Sequence, residues 1–341
     1  MSAKLPHSVW DRRICDLGLR IEGSPLAAPV RRLYRELAAK GLERFRPDCY
    51  LTDEWGCPSG EPVIGIPFYL ADRRLARCEQ ELNDLEDARE IMMYLRHEAG
   101  HAFNYAYRLY RRLEWRHWFG PYRRPYRDHY RPVAFSRDYV RHIAGWYAQK
   151  HPDEDFAETF AVWLTPGSRW REKYRYWPAL AKLEYVHRVA AEAATRLPPR
   201  RRGRPDLTVR QMRMTVADFY RAASREMPVA ASDPGIDADL VDIFPANGTR
   251  RNGRRGTAKR AAELVRANRK FLTDKAAYWT GVRRPAVKHL VEVIEARLRA
   301  LDLPAAPQRH NEQLTELASF VTAMAMQALA PPPPRRKEFA A

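Results

Sequence analysis

The sequence predicts an α+β unit followed by a mostly α-helical, basic region, and three observations carry that expectation. Two strand-like apolar runs, at 49–55 (CYLTDEW) and 63–70 (VIGIPFYL), flank a Gly-Cys-Pro-Ser-Gly turn. Helical spacing of apolar residues dominates most of the remainder. A stretch of Pro, Gly and Arg at 197–206 (LPPRRRGRPD) interrupts it and reads as a linker. The chain has 341 residues, 45% of them hydrophobic, which suffices for two cores, because single cores stop growing near roughly 250–300 residues. The expected division is 1–198 for the α+β domain, 199–206 for the linker and 207–330 for the basic helical region, with 331–341 (PPPPRRKEFAA) a disordered or polyproline tail.

Taken in order, the first helix is expected at 29–42, where Val30, Leu33, Tyr34 and Leu37 recur at helical spacing and Gly41 closes the end. After the two strand runs, a short acidic stretch at 79–90 leads into a long helix over 88–113. Residues 115–132 are rich in Arg, Tyr, Trp, His and Pro and read as a structured loop. Helices resume at 137–149, 152–164 and 179–197. Beyond the linker, helical patterns fall at 209–225, 257–280, 284–301 and 311–329, interrupted by a polar basic stretch at 247–259.

The formal charge of +18 admits an anionic partner such as nucleic acid, a membrane surface or an acidic substrate. The arginines are scattered rather than gathered in one patch, which favours solvated helix faces instead. The four cysteines, Cys15, Cys49, Cys57 and Cys78, form no CxxC, and the seven residues between Cys49 and Cys57 do not suit a zinc ribbon. The N-terminus has no apolar core of a signal peptide, and no run reaches the roughly 18 apolar residues that span a bilayer. A cytoplasmic chain with reduced, buried thiols and no membrane partner is the expectation.

The chemistry-bearing residues are His97-Glu98-Ala99-Gly100-His101, an HExxH within the long helix. Residues four apart stack on one helical face, so two imidazoles can converge on one metal ion, while Glu98 faces the open position as general base for a metal-activated water. Met92, Leu95, Ala99, Ala102, Phe103 and Ala106 supply a buried face, and Ala99 and Gly100 permit close approach of a neighbouring backbone. The alternative, a surface helix with two incidental histidines, would not need that face. A catalytic Zn2+ also needs a third protein ligand, and HPDEDFAE (151–158) offers one. Pro152 suits a first helical turn; Glu154 and Glu158 share a face at i, i+4, Glu154 to bind metal and Glu158 to accept a hydrogen bond from a liganding histidine. Taken alone, these acids could equally be a helix start that favours the macrodipole.

HEAGH followed by EDFAETFAVWL resembles the bacterial zinc-binding metallopeptidases of gluzincin type, and the second motif is similar to that of the anthrax lethal factor catalytic domain. The resemblance runs from LGLRIEG at Leu17 through RFRP, IPFYLA and HEAGH to GWYAQKHPDEDFAETFAVWL and WPALAKLEYV, more than half of the chain. It implies a zincin-like fold, one Zn2+ per chain, and hydrolysis of a peptide or protein substrate. By position, Glu154 takes the third-ligand place and Tyr147, seven residues earlier, that of a tyrosine that hydrogen-bonds the oxyanion; read from the residues alone, Tyr147 could as well be a packing tyrosine. Asp153 departs from the pattern, standing where many relatives carry Trp or another apolar residue, and is not expected to touch the metal.

His117, His129, His142 and His151 read as surface or internally satisfied histidines. The Arg and aromatic residues of 115–132 could line a cleft or stack on single-stranded nucleic acid, though a loop packed over the HExxH helix is favoured. The basic run at 250–260 reads first as solvated linker. Two other readings stay open: a nucleic-acid-associated protein that carries a tethered protease through the basic region at 207–330, and a catalytically silent domain that keeps zinc for structure.

Overall fold

The computed structural model describes residues 7–82, 85–126, 130, 132–225, 234–245, 260–282 and 284–329. His129, the expected tail at 331–341 and nearly all of the basic run at 250–260 lie outside the described residues. The chain divides into two compact units, Met1–Val229 and Ala230–Ala341.

In the first unit, helix α1 (Ala27–Ala39) buries Val30, Leu33 and Leu37, the stripe its periodicity implies, and gives way at Gly41, whose φ of 81° is left-handed. Strands β1 (Asp48–Thr52) and β2 (Val63–Pro67) pair in parallel, from Asp48 opposite Val63 to Thr52 opposite Pro67. Gly65 exchanges backbone hydrogen bonds with Gly56, so the connection returns along the other edge of β2. Strand β2 is buried throughout, which is why its sequence is apolar without alternation. The ladder stops at Pro67, and 68–71 form a 3-10 turn rather than the rest of a longer strand. Helix α2 (Arg73–Leu82) takes the start of the stretch read only as acidic.

Helix α3 (Ala88–Ala106) begins with a reciprocal capping box between Asp87 and Glu90. It ends seven residues before the expected 113. Arg108 turns to φ 53°, and the Asn104 side-chain oxygen accepts the backbone N–H of Tyr110 at 2.9 Å, replacing a helical carbonyl. Helix α4 (Leu113–Phe119) therefore occupies the first part of what reads as a loop, packing Trp115 and Phe119 against Phe156. The helix expected at 137–149 is absent but for a 3-10 turn at 147–149, because the amides of His142 and Ile143 are given to the Glu158 carboxylate instead of helical carbonyls. Helix α5 (Pro152–Leu164) matches its expected bounds; Pro152 sits in its first turn, and His151 Nδ1 accepts the Asp153 N–H at 3.1 Å as N-cap. Helix α6 (Ala179–Ala194) covers α5.

Helices α3 and α5 meet at Gly100. A Cβ there would lie 2.8 Å from the Ala157 Cα and 2.9 Å from its carbonyl oxygen, so only glycine permits this approach. The stretch 199–206 is not a free linker but part of the first unit. Arg200 pairs with Glu61, the Arg204 amide donates to Glu61 at 2.8 Å, Tyr50 donates to Asp206 at 2.6 Å, and Gly203 sits where a Cβ would strike Val63 and Pro62. Further on, Val209 N–H bonds the Leu51 carbonyl and Cys15 N–H the Met212 carbonyl, and only then does α7 (Val216–Arg225) begin. Proline and arginine signalled a break in helix, not a break between domains.

The second unit is helical, as expected: α8 (Asp237–Ile243), α9 (Ala261–Ala267), α10 (Arg269–Thr280), α11 (Arg284–Ala300) and α12 (His310–Leu329). Leu240, Val265, Leu272, Val291, Ile294, Leu317 and Val321 form its interior. Asn268 leaves helical geometry and splits the pattern expected over 257–280 into two helices. Among the described residues, no helix is long and apolar enough to cross a membrane, and none of the four cysteines forms a disulfide.

Candidate metal centre

The HExxH spacing puts His97 and His101 one turn apart on α3, and Glu154 enters from the first turn of α5. Their Nε2 atoms are 3.1 Å apart; Glu154 Oε2 lies 3.0 Å from His97 Nε2 and 3.2 Å from His101 Nε2. Tetrahedral ligands about 2.0–2.1 Å from a zinc ion are themselves roughly 3.3 Å apart, so this triangle has the right size for three ligands of one ion. All three residues are buried, and among the described residues they form a group able to hold a metal.

The opposite ring nitrogens show why the triangle wants a cation. His97 Nδ1 lies 2.9 Å from Glu158 Oε1, and His101 Nδ1 lies 3.0 Å from Asp153 Oδ2. A carboxylate there accepts a hydrogen bond from Nδ1–H and so fixes the tautomer in which Nε2 carries a bare lone pair. Two such lone pairs and a carboxylate oxygen then face one another away from water, an arrangement that needs a positive charge at its centre. Burial opposes protonation of His97, yet its bonds to Glu154 and Glu158 carry the imidazole up to about 9. His101 is likewise raised against burial by Asp153 and Glu154, and Glu154, though buried, is held well below the usual carboxylate range by the two imidazoles.

Each supporting carboxylate is itself held. Glu158 is fully buried, and its second oxygen accepts the backbone amides of His142 (3.2 Å) and Ile143 (2.9 Å). Asp153 accepts the Tyr105 hydroxyl and, at 2.7 Å, the Asn104 side-chain amide. Asn104 and Tyr105 lie three and four residues after His101, so one face of α3 carries both a histidine and the donors that fix its carboxylate.

A cleft of about 660 Å³ opens onto this group, lined by Tyr50 and 52–59 and by Tyr122, Arg124, Tyr126, Tyr147 and Lys150. Glu98 lines it too; burial raises its carboxyl above the usual range, and the carboxylate makes no hydrogen bond to another described residue. Tyr147 sets its ring edge against His97, centroids 5.6 Å apart, with its hydroxyl 3.4 Å from that of Tyr126. Tyr126 donates to Glu154 Oε1 at 2.6 Å.

All six residues singled out from the sequence, His97, Glu98, His101, Tyr147, Glu154 and Glu158, thus converge on one place. Sequence reasoning missed Asp153, which does not reach the triangle but bonds His101, and Tyr126, hidden in the Arg-aromatic stretch. Asn104 and Tyr105 were findable, lying at i+3 and i+4 from His101. Two of the other histidines are satisfied by backbone: His142 Nε2 donates to the Met93 carbonyl at 3.0 Å, and His151 Nε2 to that of Arg124 at 2.8 Å.

An α+β unit in which two helices present two imidazoles and a carboxylate to one point defines a candidate metal-dependent hydrolytic centre. Residues 62–168, less than half of the chain but including all six of these residues, match the model of a family described as "putative zinc-binding metallo-peptidase". No curated protein and no solved structure matches the chain.

Proposed function

We propose that the chain is a zinc-dependent peptidase of gluzincin type with a zincin-like first unit, acting on a peptide or protein substrate. The observation that carries this reading is the placement of the Glu98 carboxylate, with no hydrogen bond to another described residue, in a cleft beside the His97–His101–Glu154 triangle. The residues fit Zn2+: two neutral imidazoles and one carboxylate oxygen, at a spacing suited to tetrahedral ligation, are a usual catalytic donor set. A zinc ion held there would act as a Lewis acid on a carbonyl oxygen and lower the pKa of its bound water from about 15.7 toward 7.

The chain's own groups do the rest. Glu98 accepts the proton of the attacking water and delivers it to the leaving amine; burial raises its carboxyl above the usual range and so strengthens it as a base. Glu158 and Asp153 hold the imidazoles in the Nδ1–H form, so that both Nε2 atoms stay available as donors. Tyr147, lining the same cleft, donates its hydroxyl to the oxyanion of the tetrahedral intermediate. Its phenol is raised by burial and by Glu154, so it is a neutral donor at working pH.

Metal analysis of the purified protein should find about one zinc per chain, lost in His97→Ala and Glu154→Ala. Glu98→Gln should keep its zinc and lose hydrolysis of a peptide library. If wild type and Glu98→Gln hold zinc and are equally inert on every pool, the metal is structural and the peptidase reading fails.

A further inference from the structure

The two oxygens of Glu154 are used differently. Oε2 faces the imidazoles at 3.0 and 3.2 Å, whereas Oε1 accepts the Tyr126 hydroxyl at 2.6 Å. A carboxylate that meets a metal through one oxygen can swing the other in as well and take up a further coordination position. A short hydrogen bond to the outer oxygen opposes that swing, because the bond must break before the oxygen can turn. Tyr126 is well placed to act this way: the residue is 52% exposed, but its hydroxyl reaches inward to the ligand. The Lys150 ammonium lies 4.3 Å from its ring centroid and 5.2 Å from that of Tyr147, a cation held over both phenols. Tyr147 makes no hydrogen bond to Glu154 and so cannot replace it.

Resting on the metal-centre reading above, we propose that Tyr126 is a positioning residue that holds Glu154 to one-oxygen ligation, which reserves the remaining coordination position for water and substrate. It comes from outside both motif helices, so the segment that walls the cleft also sets the state of the third ligand. A hydrolytic centre needs this, since a two-oxygen carboxylate would crowd the open position on which catalysis depends.

The test uses the full chain, stripped and reloaded with Co2+, whose visible absorption is strong in four-coordinate and weak in five-coordinate sites. Wild type should absorb strongly. Tyr126→Phe should still bind about one Co2+ per chain but absorb severalfold less, while Tyr147→Phe keeps the wild-type spectrum. On a peptide that wild type cleaves, Tyr126→Phe should lower kcat with KM little changed. Identical spectra for wild type and Tyr126→Phe, or an equal fall in both tyrosine variants, overturn the assignment. A wild type that takes up no Co2+ removes the metal centre and this proposal together. A wild type with the expected spectra and no peptide turnover removes the peptidase reading alone.

Discussion

Glu158 answers to three donors at once: the His97 ring and two backbone amides of a segment that would otherwise be helical. Replacing it with Gln keeps its shape but puts an N–H where an acceptor is needed. Metal affinity, read by chelator competition, should fall about 10–100-fold, with Asp153→Asn doing the same through His101. A different buried acid governs pH behaviour. Burial raises Asp155 to about 7 against the pull of Lys182, whose ammonium lies 2.6 Å away. Its folded value exceeds the unfolded one of about 3.9, so the native state binds the extra proton; stability from this group is complete below about pH 4 and is lost as pH rises through 7. Lys182→Met should sharpen the trend: little change by urea unfolding at pH 5, but a further loss of about 1 kcal/mol at pH 8, where Asp155 without the ammonium keeps a proton that it otherwise releases near 7.

At the scale of elements, the distance between α3 and α5 sets the metal triangle, and Gly100 sets that distance. Gly100→Ala forces the helices apart at Ala157 and should cost about 1–3 kcal/mol in urea unfolding while also weakening metal binding, because the strain falls between the histidines and Glu154. An equal loss of stability with unchanged metal affinity would show that the triangle is set elsewhere. The apolar stripes of α1, α5, α11 and α12 placed those helices in the sequence because each is a local pattern facing one core. The break after Ala106 and the missing helix at 137–149 were illegible for the converse reason. Their backbone amides bond side chains, of Asn104 and Glu158, one of them well removed along the chain.

For the whole molecule, the boundary matters most. The strand β2 leans on 199–206 through Glu61, Pro62 and Val63, and 209–214 bonds back to β1 and the N-terminal segment. A fragment ending at 229 should therefore fold and retain its metal, whereas one ending at 198 should lose cooperative unfolding, because Gly203, Met212 and Val216 no longer cover the interior. Circular dichroism melts of the two fragments, with metal content, decide it; equal stability would return the boundary to 198.

By itself the sequence determined which side chains could meet a metal, because HExxH and the acidic turn at 152–158 rest on helical periodicity, a property of a few consecutive residues. It also determined the α+β character of the first unit and the helical character of the second. Only the tertiary structure decided that Asp153 serves His101, that Tyr126 closes on Glu154, and that 199–216 belongs to the first unit. Those depend on pairs far apart in the chain, such as Tyr126 with Glu154 and Tyr50 with Asp206, and no local pattern encodes which distant partner a hydroxyl or carboxylate will find.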